Sequence, residues 1–243
     1  MKKLLCTTIL FFIFYSSNAQ VKEYGIRLGG SLAFIDGSAF NDYKSWGNFS
    51  YTTSSGGTMK GSNGFLISLM PTFFSRYRLS DKFFFQPEIG ISFNGISQNN
   101  DSDDKYYTSN SNVKIRLTYL QIPLLLGYKF NENNYSPFIT AGLTPAFLLS
   151  ANAKSEVNTI DKSTGKKINT TSENSGSIDK KMDIGLTIGG GILSFPTMPT
   201  LGADIRLSVG LVNLIASPNG LYFDDKTAAN NSISLAVYYR FNQ

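Results

Sequence analysis

The chain has 243 residues, of which 42% are hydrophobic and 16% are charged, and its formal net charge is +5. This mild balance argues against a nucleic-acid partner. The sequence contains no histidine and one cysteine, so the usual ligands of zinc and other transition metals are missing and we expect no cofactor.

The first 19 residues predict a secretory signal peptide. Lys2 and Lys3 precede an apolar run over residues 4–15, and small and polar residues follow before an expected cleavage ahead of Gln20. The run is too short for a transmembrane helix, which needs roughly 20 residues. The mature domain, residues 20–243, then carries 20 basic and 17 acidic residues and no cysteine, which excludes disulfides and thiol chemistry.

The mature domain contains stretches in which apolar and polar residues alternate. This period of two predicts β-strands with one apolar and one polar face. The fourth stretch changes parity near Tyr119 and Leu120, which predicts a β-bulge there. In chain order the eight predicted strands cover about residues 23–35, 64–79, 82–97, 113–130, 135–151, 180–194, 200–213 and 233–241.

The connections between these strands alternate between long and short. The long ones are polar and cover about residues 36–63, 98–112, 152–179 and 214–230, whereas the short turns lie near residues 80–81, 131–134 and 195–199. An up-and-down barrel with both termini on one side produces this order. We therefore predict an all-β fold, an eight-stranded antiparallel up-and-down transmembrane β-barrel that is OmpA/OmpX-like, located in the outer membrane.

Charged residues within the predicted strands indicate which face meets lipid. They share the polar parity of their strands, and a basic residue on the lipid face would cost about 2–4 kcal/mol at the midplane. A soluble ligand-binding barrel, the alternative, would put its charges outside. The side chains that we expect to point into the lumen are Arg27, Arg76, Arg78, Glu88, Lys114, Arg116, Asp183, Asp204, Arg206 and Arg240.

The interior of an eight-stranded barrel is just wide enough for its own side chains. Buried charges must also be paired to be tolerated. We therefore interpret the inward charges as a packed ion-pair network that rigidifies the barrel, with a transport path as the alternative.

Several strand motifs resemble a known family. They are Y-L-Q-I-P-L-L-L-G-Y-K-F at 119–130, F-F-F-Q-P-E-I-G at 83–90, P-F-I-T-A-G at 137–142, the opening G-I-R-L-G-G at 25–30 and the terminal Y-Y-R-F at 238–241. Together they resemble the PorT-like outer-membrane β-barrel family of Bacteroidetes. The resemblance implies an outer-membrane location and a compact barrel but little about activity. One member type of that family assists protein secretion and the maturation of secreted proteases.

The first long connection carries four aromatic residues in an otherwise polar segment, Tyr43, Trp46, Phe49 and Tyr51. These side chains fit a loop that folds over the barrel mouth or dips into the outer leaflet. The alternative is a contact surface for a partner protein or glycan, since exposed tyrosine and tryptophan favour interfaces.

We predict a non-enzymatic role. Barrel enzymes of outer membranes resemble one another in using a histidine general base, and this chain has none. The expected role is structural or interactive, as a monomeric barrel in outer-membrane lipid and an accessory to protein secretion that contacts other outer-membrane or secretion proteins. The alternative is a small-solute or ligand-binding transporter.

Overall fold

The computed structural model describes residues 21–36, 47–52, 58–130, 136–175, 181–212 and 229–241. The expected signal peptide and most of the fourth long connection lie outside these ranges. No helix in this part of the chain is long and apolar enough to cross a membrane. The strands are β1 (Val21–Asp36), β2 (Gly47–Thr52), β3 (Thr58–Arg78), β4 (Phe83–Asp103), β5 (Tyr107–Gln121), β6 (Leu124–Lys129), β7 (Pro137–Asp161), β8 (Lys167–Ser175), β9 (Met182–Ile192), β10 (Leu201–Gly210) and β11 (Ala229–Arg240).

All the strands pair antiparallel in one sheet. β1 pairs with β3 on one edge and with β11 on the other. From β3 the pairings pass to β4, from β4 to β5 and β6, and from both of these to β7. They continue through β9 and β10 to β11. The predicted all-β antiparallel architecture is confirmed.

The predicted number of eight strands is wrong, because the described residues form eleven. The fourth predicted strand is divided into β5 and β6 at Ile122 and Pro123, because proline has no backbone N–H to give to the ladder. The Pro123 carbonyl instead accepts a hydrogen bond from the Glu88 amide at 2.8 Å. The other two strands, β2 and β8, lie within connections that were predicted to be loops.

The expected bulge lies on the neighbouring strand. The register of β5 and β7 shifts where Thr118 pairs with Ser150 and Tyr119 pairs with Leu148, so the extra residue is Leu149 on β7. β5 therefore keeps one parity throughout, and β7 changes parity instead.

The first three long connections contain much more strand than expected. β4 and β5 continue to a turn at residues 104–106, and β7 continues to Asp161 before β8 returns along it. Apolar alternation, on which the prediction depended, is too sparse here to identify strands, because most residues on both faces are polar. Side-chain hydrogen bonds link the strands instead, such as Thr108 Oγ1 to Asp103 Oδ1 at 2.8 Å and Ser109 to Thr159 at 3.2 Å.

These extensions form a six-stranded sheet that we call the polar sheet. Its strands follow the order β2, β3, β4, β5, β7 and β8. It comprises residues 47–52, 58–63, 98–103, 107–112, 152–161 and 167–175.

The remaining lengths of strand carry a continuous apolar surface that we call the apolar belt. Its outward side chains are well exposed, with 71% of Ile67 and 67% of Leu235 accessible. At the short-turn end, Phe241 packs against Tyr24 and Tyr239, with ring centroids 5.6 and 5.5 Å apart. The belt includes Ile26, Leu28, Leu69, Phe73, Ile89, Ile91, Leu124, Leu126, Ile139, Leu143, Leu186, Ile188, Ile205, Leu207, Ile233 and Val237.

Candidate functional site

The interior holds a chain of charged side chains that begins at Arg27. Arg27 donates to Asp204 through Nη2 at 2.6 Å and through Nε at 3.0 Å. Arg206 donates to the same carboxylate at 3.0 Å and binds Glu88 with two parallel bonds of 2.9 Å. All four residues are buried, and this bidentate geometry is the strong form of an arginine–carboxylate pair.

The chain of contacts continues towards the short-turn end. Gln86 donates to Glu88, and its carbonyl oxygen accepts two bonds from Arg76 at 2.9 and 2.7 Å. Arg76 also binds Glu23, and Glu23 accepts a bond from Arg240 at 3.0 Å. Because each cation here has an acidic or amide partner, the desolvation cost of burial is offset along the whole chain.

Asp183 is buried apart from this network. Asn230 donates to Asp183 Oδ2 at 2.9 Å and to the Tyr119 hydroxyl at 3.1 Å, and the Ile184 amide donates to Asp183 Oδ1 at 2.8 Å. With Asp183 included, the interior acids Glu23, Glu88, Asp183 and Asp204 equal in number the interior cations Arg27, Arg76, Arg206 and Arg240.

Aromatic side chains close the interior at the short-turn end. The guanidinium carbon of Arg76 lies 4.7 Å from the centre of the Phe84 ring and 5.5–5.9 Å from the rings of Phe74, Phe138 and Tyr238. Glycine opposite these rings makes room for them. A Cβ atom on Gly127, for example, would lie 2.0 Å from the Phe84 ring. The result is a dense plug in which a cation lies against aromatic faces.

Little free volume remains around the charges. A void lined by Arg27, Glu88 and Arg206 measures about 20 Å³, which is room for about one water molecule.

Three residues expected in the lumen are outside it. Arg78 is half-exposed at the end of β3, where it pairs with Asp81 of the following turn. Lys114 and Arg116 are exposed because β5 does not change parity, and Leu117 and Tyr119 fill the interior positions. The structure corrects these assignments, whereas the other seven predicted residues are buried.

Two network residues were not among the candidates. Glu23 shares the parity of Arg27 on β1, and Gln86 shares the parity of Glu88 on β4. Applying the parity rule to uncharged amides and to strand ends would have found both.

The candidate aromatic contacts are only partly described. Tyr43 and Trp46 lie outside the described residues. Phe49 and Tyr51 lie in β2, where they pair with Gly61 and Met59 of β3.

The polar sheet carries ion pairs on its exposed surface. Lys162 binds Asp103 at 2.7 Å and the Asp104 carbonyl at 2.6 Å, which joins the tips of two hairpins. The hydrogen bond from Lys162 lowers the pKa of the Asp103 carboxyl, and one from Thr108 adds to the effect. Hydrogen bonds from Ser163 and Thr164 likewise lower the pKa of Asp161.

Within the described ranges no group of three or more acidic, histidine or cysteine side chains is placed to hold a metal ion.

Comparisons with known proteins agree with the architecture. A family model described as an outer membrane protein beta-barrel domain matches residues 14–216. The sequence matches no curated protein.

Solved outer-membrane proteins share low similarity with the chain. The attachment invasion locus protein Ail of Yersinia pestis, solved with the heparin analogue sucrose octasulfate, is 10% identical, with a TM-score of 0.36 over 91% of this chain and 100% of Ail. Neisserial surface protein A is 12% identical, with a TM-score of 0.38 over 90% of this chain and 97% of its own. Likeness at this level carries no argument about function.

Proposed function

Because this chain belongs to the family of outer membrane protein beta-barrel domains, we propose that it is a non-enzymatic outer-membrane barrel that acts through its surface. The barrel is closed and has eight spans, with β5 and β6 together forming one span. β2 and β8 belong to surface hairpins. The ring of pairings from β1 back to β1 supports this closure.

The filled lumen is the observation that carries the proposal. Among the described residues, the buried ion pairs, the aromatic plug and a void of about 20 Å³ support a lumen that is closed to solutes. The distinctive exposed feature is the polar sheet, so binding outside the membrane is the function that the geometry favours.

In the proposed orientation the termini and short turns face the periplasm, and the polar sheet lies at the cell surface. Cleavage near Ala19 and Gln20 precedes insertion of a monomer into the lipid. This arrangement follows from the alternation of short turns and long hairpins, which is typical of outer-membrane barrels.

The role in this proposal is PorT-like, an accessory that contacts other outer-membrane or secretion proteins. The polar sheet supplies the contact surface, and β8 supports it as an edge strand whose described side chains are exposed. Phe49 and Tyr51 of β2 belong to this sheet, and together with Tyr43 and Trp46 they are the proposed aromatic contacts.

Mild-detergent co-purification from native outer membranes, followed by mass spectrometry, tests the interaction. We expect secretion components in stoichiometric amounts with the full chain. Replacing residues 154–173 by a short turn removes seven of the nine β7–β8 pairs, so recovery should fall at least tenfold. The exposed substitution Arg78→Gln, on the opposite end of the barrel, serves as the control and should change nothing. Recovery of the full chain as a lone monomer would contradict the proposal.

The transporter alternative is tested separately in planar bilayers. We expect no stepwise conductance from the purified barrel, because its lumen is filled by side chains. Steady channel currents that vanish with the unfolded protein would favour the transporter.

A further inference from the structure

Two neighbouring strands of the barrel wall fail to pair over part of their length. β3 and β4 are in register up to Phe65 opposite Ile96, and again from Thr72 opposite Gly90. Between these points no pair joins residues 66–71 of β3 to residues 91–95 of β4, although all of these residues are described. Both runs still pair on their other edges, with β1 and with β5. We call this gap the seam.

The seam lies inside the apolar belt. Its flanking outward side chains Ile67, Leu69 and Ile91 are all exposed. Backbone polar groups without partners are costly in hydrocarbon, so a membrane barrel normally pairs every strand. The Ser68 hydroxyl donates to the Phe93 carbonyl at 2.9 Å and thus spans part of the seam. The Ser92 hydroxyl is buried there without a hydrogen-bond partner.

A groove runs along the outer surface at the end of the seam where Thr72 pairs with Gly90. Its volume is about 500 Å³, which lies in the range of small-molecule sites. Apolar side chains from β1, β3, β4 and β5 form most of its walls, which suits a hydrocarbon chain. They include Ile26, Leu28, Phe73, Ile89, Ile91 and Leu120.

The groove also reaches two interior polar residues, Thr72 and Arg27, which line both the groove and the internal void. Gly90 permits this contact, since a Cβ there would lie 2.6 Å from the Thr72 hydroxyl. The wall therefore connects an apolar exterior with a hydrogen-bonding interior at one point.

Size and charge limit what can bind at that point. The void behind Thr72 measures about 20 Å³, so only one small polar group fits. Arg27 is already neutralised by Asp204 at 2.6 Å, so an anionic head would be an uncompensated buried charge. We propose that the seam binds a neutral single-chain lipid, with its hydrocarbon in the groove and one hydroxyl group at Thr72.

Photolabelling of the full chain in lipid nanodiscs tests this site, with a long-chain alcohol that carries a diazirine as the probe. We expect labelling of Ile89, Ile91 and Leu120 to exceed that of Ile205 and Leu235, belt residues of β10 and β11, by at least fivefold. A carboxylate probe of the same length at pH 8 should lack this preference. Equal alcohol labelling around the belt would overturn the proposal.

Matched substitutions separate the two parts of the site. Ile91→Trp fills the groove and should lower labelling of Leu120 about tenfold, whereas Ile205→Trp on β10 should not. Thr72→Val should lower the labelling of Leu120 about fivefold, which is the effect of losing one neutral hydrogen bond. Thr140→Val is its control, because Thr140 is also a buried interior threonine and its hydroxyl has no hydrogen-bond partner. Unchanged labelling of Leu120 in both Ile91→Trp and Thr72→Val would overturn the proposal.

Discussion

Arg206 shows how much the interior depends on the charge partners of single residues. Its guanidinium binds Glu88 with two bonds and Asp204 with a third, whereas its Nε is buried without a hydrogen-bond partner, and only 5% of the residue is exposed. Asp204 also accepts hydrogen bonds from Arg27. Loss of Arg206 would therefore affect two carboxylates at once, those of Glu88 and Asp204. Such a network stabilises the barrel only while each charge has its counterpart.

The substitution Arg206→Met tests this dependence. It retains most of the side-chain volume but leaves Glu88 and Asp204 short of positive charge in a buried place. We expect the free energy of unfolding to fall by about 3–5 kcal/mol, measured by urea unfolding in detergent micelles. Arg78→Met is the control, because the exposed pair with Asp81 contributes little. A similar small effect for both variants would contradict a stabilising network.

At the scale of elements, the hairpins of the polar sheet are held by contacts that differ from those of the spans. Lys162 of the turn after β7 contacts Asp103 at the end of β4, and its backbone amide donates to the Tyr106 carbonyl at 2.8 Å. These contacts join the β4–β5 and β7–β8 hairpins at their tips. The side chains of Lys162 and Asp103 are exposed, so this ion pair should respond to pH, unlike the apolar packing of the belt.

Acidification should weaken this junction. The pKa of Asp103 is lowered from its ordinary value of 3.8 by Lys162 and Thr108. A carboxyl with a lowered folded-state pKa stabilises the fold above its unfolded pKa, and that contribution is lost as the pH falls through the folded pKa. We expect NMR titration of the Asp103 carboxyl to give a midpoint below 3.8. Lys162→Gln should raise that midpoint towards 3.8, and Lys166→Gln should leave it unchanged.

A midpoint in Lys162→Gln that stays where it is in the native chain would show that the two hairpins are not joined through this pair. Thr108 would then account for the lowered pKa.

At the scale of the whole molecule, outward apolar residues are found in two environments. Leu235 lies in the apolar belt and is 67% exposed, whereas Ile168 lies on β8 of the polar sheet and is 49% exposed. Exposure alone does not distinguish them. In the proposed orientation, lipid surrounds Leu235 and water surrounds Ile168.

Arginine at these two positions should reveal the boundary. Leu235→Arg should destabilise the barrel by about 2–4 kcal/mol, because a basic side chain on the lipid face is costly near the midplane. Ile168→Arg should change stability by less than about 0.5 kcal/mol, as surface substitutions in water do. Both are measured as unfolding free energies in lipid vesicles. Equal costs would mean that the belt does not face lipid.

Sequence alone determined the features that depend on local alternation. The period of two along β1, β10 and β11 indicates which side chains point outward. Arg27, Asp204, Arg206 and Arg240, which this pattern assigns to the inward face, are buried. The pattern also indicated the short turns, because breaks in alternation are local. The polar sheet could not be found in this way, since strands with two polar faces have no alternation.

Tertiary structure decided the features that depend on pairing between strands. An irregular register near Tyr119 was predictable, but the extra residue is Leu149 on β7, and this choice exposes Lys114 and Arg116. Arg27 and Asp204 are 177 residues apart in sequence. The seam interrupts the pairing of β3 and β4, although each strand is continuous. The alternation of side chains is a property of one strand, whereas register and barrel closure depend on how strands pair with one another. For that reason most residues that line the barrel could be predicted from the sequence, whereas their ion-pair partners, the position of the bulge and the seam could not.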